Sequence, residues 1–158
     1  MTSSKRDTLK QQIEQAFLDT PRPDDDHIGY NPDDWESAEL NAAFKGKHWK
    51  ELRPEELKYN SSTFLSLEGF RYYLPAYLFA ALDDYGDLLP HTVYNLTAHD
   101  PSSGDKELQD WKLERFKQFS LVEKRAIRAF LEYVRDEFSF FSGGRAPRLA
   151  LERYWGHQ

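Results

Sequence analysis

The sequence predicts an all-α protein: a compact single-domain bundle of about six to eight short and medium helices over residues 1–158, with residues 1–6 as an unstructured lead-in. Three observations carry that expectation. Apolar side chains recur at helical spacing in several separate segments. Helix-start and helix-stop residues bracket those segments. No stretch alternates convincingly enough to read as a strand, and none repeats internally.

The first helix is expected over Asp7 to Leu18, where Leu9, Ile13, Ala16 and Phe17 fall on one face. Thr20-Pro21-Arg22-Pro23 stops it, because proline lacks the amide donor and restricts the residue before it. Asp24 to Pro32 reads as a loop. A second helix starts at Asp33 or Asp34, where acids suit the positive end of the helix dipole, and runs to Phe44. Its expected inward residues are Trp35, Ala38, Ala42 and Phe44, and Gly46 supplies the left-handed stop. One helical turn follows around Trp49, and Pro54 opens a further short helix as its first residue.

The strongest period runs from Leu67 to Tyr85 behind Ser66 as N-cap. This is the expected central helix, kinked or split at Pro75 and ended at Gly86. Leu88 to Ala98 fits either a short helix or a brief extended piece, and Pro101 to Gly104 fits a loop tip. Trp111, Leu113, Phe116 and Phe119 show no clean period, so no element is assigned there. Ser120 and Glu123 match a capping box, followed by Ile127, Phe130, Leu131, Val134 and Phe138 at helical spacing. Gly143-Gly144 breaks that helix, and Pro147 opens a last one through Trp155.

A chain of 158 residues buries roughly 70% of the surface its unfolded form exposes, enough for a core without staples. Aromatics at 15% supply much of the apolar volume. The absence of Cys excludes a disulfide framework, thiol catalysis and Cys-ligated zinc, and fits a reducing compartment. The first residues lack the apolar core of a secretory signal, and the longest apolar stretch, Tyr72 to Leu82, is too short to span a bilayer. A soluble, cytoplasmic protein without membrane contact is the expectation. The net charge of −6 argues against nucleic-acid binding, which needs a basic face. That charge is uneven: Asp19 to Glu39 holds eight acids against one base, whereas Lys106 to Arg153 holds eleven bases against eight acids.

The candidate metal ligands are Asp24, Asp26 and His27. Counted as a calcium loop from Asp24, the fifth position is Ile28 and the twelfth Trp35, so the register fails, and a turn-forming acidic loop is the favoured reading. None of the five histidines pairs at i, i+4 spacing. There is no nucleophile elbow, phosphate-binding loop or dinucleotide fingerprint. The expectation therefore leans against an enzyme and includes no cofactor. Phe70-Arg71-Tyr72-Tyr73-Leu74-Pro75-Ala76-Tyr77 surrounds its helix with aromatics, which suits a central position; a ligand pocket lined by Arg71, Tyr72, Tyr73 and Tyr77 at Pro75 is the functional alternative.

Three stretches stand out together: an early acidic loop leading to Phe44 to Trp49 and then Leu52, Phe70 to Leu78 carrying the Phe-Arg-Tyr-Tyr-Leu-Pro-Ala-Tyr core, and Arg125 to Tyr133 with Ala150 to Trp155. In this order and spacing they resemble a family of small bacterial domains of unknown function. The resemblance extends from about Leu9 to Trp155 and implies a bacterial cytoplasmic protein, with no activity attached. The favoured function is a protein-binding domain, of immunity or inhibitor type in one version. It would present Asp24, Asp25, Asp26, Tyr30, Asp33, Asp34, Trp35 and Glu36 to a basic partner. The alternatives are a metal-dependent hydrolase using Asp24 to His27 and a small-ligand regulatory domain at Pro75.

Overall fold

The computed structural model describes residues 4–83, 86, 88–138 and 144–158. Among them are eight α-helices: α1 Lys5–Ala16, α2 Trp35–Phe44, α3 Pro54–Tyr59, α4 Leu67–Leu82, α5 Leu88–Asn95, α6 Lys106–Lys117, α7 Leu121–Glu137 and α8 Arg145–Arg153. The described residues contain no strand beyond an isolated bridge between Gly29 and Leu65, and the all-α class stands. None of these helices is long and apolar enough to cross a membrane.

Contacts gather into two compact units. Residues 17–89 form one; residues 1–16 and 90–158 form the other. Within 17–89, α4 is the centre, with Phe70, Tyr73, Leu74, Tyr77, Leu78, Ala81 and Leu82 all buried. It starts where expected, with the Ser66 hydroxyl accepting from the Gly69 N–H at 2.9 Å. It runs through Pro75 without a break, so the split that proline permits does not occur. It ends at Leu82, earlier than the apolar pattern suggested; Tyr85 lies outside the described residues.

In the other unit, α7 buries Ala126, Ile127, Phe130, Leu131 and Val134 and packs against α1 and α8. Its capping box forms as read: Ser120 N–H donates to Glu123 Oε1 at 2.6 Å, and Glu123 N–H to Ser120 Oγ at 3.3 Å. Trp155 is fully buried, its indole N–H donating to the Leu96 carbonyl at 2.6 Å, with the rings of Phe116 and Phe119 beside it at 4.9 and 5.9 Å. Gly144, in the left-handed region at φ 78°, leads into α8, which begins two residues ahead of Pro147; Gly143 lies outside the described residues.

Two segments resolve what spacing left open. Leu88 to Asn95 is helical. Trp111, Leu113 and Phe116 lie on helix α6, with Phe119 just beyond its end, and the helix's inward face explains the missing period. Lys112 and Arg115 are buried there beside Phe116.

Candidate interaction face

The acidic loop of the 17–89 unit is held from beneath. Ile28 is fully buried at its middle. The Asn41 side-chain carbonyl accepts from Ile28 N–H at 3.1 Å and Gly29 N–H at 3.3 Å. From the other side, Ser66 N–H donates to the Ile28 carbonyl at 2.8 Å, the Ser66 hydroxyl donates to the His27 carbonyl at 2.6 Å, and Tyr30 N–H donates to the Phe64 carbonyl at 2.9 Å. A β-carbon on Gly29 would stand 2.6 Å from the Ser37 carbonyl oxygen, and one on Gly69 would stand 2.5 Å from that of Ile28. Both glycines are there because main chain passes too close for a side chain.

This anchoring decides what each acidic side chain is free to do. Asp25 is committed inward. One oxygen accepts from Arg22 at 2.6 Å and from Gly46 N–H at 3.0 Å, tying the loop to the end of α2. Asp34 is the N-cap of α2, accepting from Ser37 N–H at 3.1 Å. Asp24, Asp26 and Asp33 project into solvent, and Glu36 is half-buried. Tyr30 is 51% exposed and Trp35 66% exposed, so two large rings stand among the acids. The Tyr30 ring is steadied by Phe64, with centroids 6.4 Å apart. A hollow of about 360 Å³, lined by Asp26, Gly29, Pro32, Ser37, Ala38 and Asn41, joins the two acidic stretches.

The exposed Trp35 corrects the expected register of α2. Trp35, Ala38 and Ala42 face outward; the inward stripe is Ser37, Leu40 and Phe44, with Asn41 half-buried beside it. An asparagine stands beside the stripe because Asn41 serves the loop's amides, and apolar pattern alone cannot register such a role.

Asp24, Asp26 and His27 do not assemble as ligands. His27 Nδ1 and Asp24 Oδ2 are 4.0 Å apart on side chains that are 73% and 92% exposed. Among the described residues, no group of three His, Asp or Glu side chains could hold a metal ion.

Tyr72, Tyr73 and Tyr77 are buried, whereas Arg71 is half-buried. Tyr73 donates its hydroxyl hydrogen toward the carbonyls of Phe44 at 3.2 Å and Lys47 at 2.8 Å, and Tyr77 donates to the Asn60 carbonyl. Burial pushes the Tyr73 phenol up to about 12 and raises that of Tyr72. The Tyr73 and Tyr77 hydroxyls clasp the chain at the ends of α2 and α3 to α4, which is a packing role.

Fold and loop together define a helical protein with a rigidly based acidic surface that carries exposed aromatic rings. The chain belongs to a family of unknown function, DUF6714, whose model matches residues 5–158. No curated protein and no solved structure matches it.

Proposed function

We propose that this chain is a non-enzymatic interaction protein that docks a basic protein partner on the acidic face of its 17–89 unit, inhibition of a basic toxin being one version. The observation that carries the reading is the exposure of Trp35 and Tyr30 among Asp24, Asp26 and Asp33. Large rings left in water at the centre of a charged surface are the usual anchors of interfaces, and the surrounding acids steer a basic partner and set specificity. The buried Ile28 and its hydrogen bonds hold the loop in shape before binding, which lowers the ordering cost of association.

Asp25 and Asp34 support the face without meeting the partner, so substitutions there would confound loop folding with binding. The informative variant is Asp24→Lys, Asp26→Lys and Asp33→Lys together, with Trp35→Ala as its uncharged companion. Immobilised wild-type protein should retain a basic protein from native extract that the triple variant loses, with both baits showing the same helical circular dichroism. Trp35→Ala should weaken the isolated partner by about 2 kcal/mol or more, and rising salt should slow association. Equal retention by wild type and triple variant would remove the reading.

A further inference from the structure

The unit formed by residues 1–16 and 90–158 contains a second, chemically different feature. Between α5, the segment after it, α6 and α8 lies a hollow of about 390 Å³. Pro90, Ala98, Leu149 and the ring of Tyr94 give it apolar walls. Lys112 and Arg153 supply cations, and Thr97 and His99 complete the polar part of the lining.

Lys112 is only 4% exposed. Its ammonium donates to the carbonyls of Thr97 at 3.0 Å and Tyr94 at 3.3 Å and sits 4.0 Å from the Tyr94 ring centroid. Those two carbonyls lie in the last turn of α5 and just beyond it, so part of its role is to satisfy main-chain acceptors there. Two carbonyls and the face of the Tyr94 ring are its partners, and no carboxylate of the described residues pairs with it. Arg153 donates to the Ala98 carbonyl at 3.1 Å, and its counter-charge among the described residues is Asp100, 4.0 Å away and half-exposed. The other oxygen of Asp100, Oδ1, accepts from Ser102, which donates from its N–H at 2.9 Å and its hydroxyl at 2.8 Å.

A buried cation costs several kcal/mol unless paired, and a second cation beside it adds repulsion. Both effects hold the Lys112 amine down to about 8, burial first and Arg153 second. Two under-neutralised cations beside apolar walls, in a hollow at the small end of the ligand-cavity range of roughly 300–1,000 Å³, form a complementary template. The matching molecule has one anionic head and a compact apolar body.

We infer that this hollow binds a small apolar monocarboxylate, its carboxylate taken by Lys112 and Arg153 and its hydrocarbon body by Tyr94, Ala98 and Leu149. A carboxylate has two oxygens to share between the two cations, and the guanidinium fork suits it. The site is independent of the acidic face, which lies in the other unit.

The test uses full-length protein at neutral pH and octanoate as probe, followed by calorimetry with the neutral isostere octanamide as control. Octanoate should bind saturably with one site per chain and at least about tenfold more tightly than octanamide. Arg153→Gln should weaken octanoate by a similar factor. Lys112→Met removes an end cap of α5 and risks the fold, so Leu149→Trp is the second variant: it fills the hollow from a half-exposed position and should abolish binding while keeping helical circular dichroism. Three results would each overturn the inference. They are no saturable octanoate binding up to roughly 5 mM, equal affinity for acid and amide, or undiminished binding in folded Leu149→Trp protein.

Discussion

Ser37 shows how tightly the acidic loop is seated. Its side chain is 1% exposed, and its hydroxyl has no hydrogen-bond partner. A buried hydroxyl left unpaired costs roughly 1–3 kcal/mol, and alanine is the better helix former at that position of α2. Ser37→Ala is therefore expected to stabilise the protein by up to about 1 kcal/mol in urea unfolding. Gly29 faces the same backbone from the other side. Gly29→Ala would bring a methyl group to 2.6 Å from the Ser37 carbonyl oxygen, and main chain on both sides would have to part. Overpacking of that kind costs about 1–3 kcal/mol, and the loop's amides would lose their Asn41 acceptor as it shifts. If Gly29→Ala unfolds at the same urea concentration as wild type, the loop is not seated in this way. No local signal reveals this contact: Gly29 sits in a loop rich in turn formers, and its reason is a main chain eight residues away.

At the scale of elements, legibility followed the chemistry of the buried face. Helix α4 could be read because Leu74, Tyr77, Leu78 and Leu82 are all apolar, and α7 because its stripe is apolar and its capping box is local. Helix α2 was found by its acidic start but turned to the wrong register, since its inward face includes Ser37, with Asn41 beside it. Composition alone shows the crowding of acids between Asp19 and Glu39, while the division of labour between Asp25 and Asp24 requires the positions of Arg22 and Gly46. Helix α6 was missed because two of its buried residues are cations. The same oddity gives it a pH signature. The amine of Lys112 is held at about 8 when folded, against 10.5 for an unperturbed lysine. Between those values the unfolded chain binds more protons, so its contribution to stability rises with pH across that window. Below about 8 the full penalty of burying the charge is present. Above pH 10 the buried tyrosines oppose the trend, because their raised values favour the protonated fold while unfolded tyrosines ionise. Urea unfolding of wild type and Lys112→Met between about pH 7 and 9.5 should show wild type gaining roughly 1–3 kcal/mol relative to the variant. Parallel curves would mean that Lys112 is solvated rather than buried.

At the scale of the molecule, chain order and spatial grouping disagree. Residues 1–16 group with residues 90–158, and the residues between them form the other unit. Helix α1 therefore finds its partner, α7, more than a hundred residues later, burying Ile13 completely and Leu9 almost so. Periodicity reported that α1 has an apolar face but could not say what covers it, since pattern carries no information about distant partners. Ile13→Ala should cost about 2–5 kcal/mol, the range for a large aliphatic side chain truncated in a core. Where that cost is felt tests the expectation of one domain over residues 1–158. Helix α5 runs without interruption across the boundary between the units, from Leu88 to Asn95. Native-state hydrogen exchange reads the answer directly. If the chain unfolds as one domain, Ile13→Ala lowers the protection of the slowest amides in α7 and in α4 by the same free energy. If protection falls in α7 alone, residues 17–89 are a separate cooperative unit inserted into the other, and the acidic face and the cationic hollow belong to domains that can be studied apart.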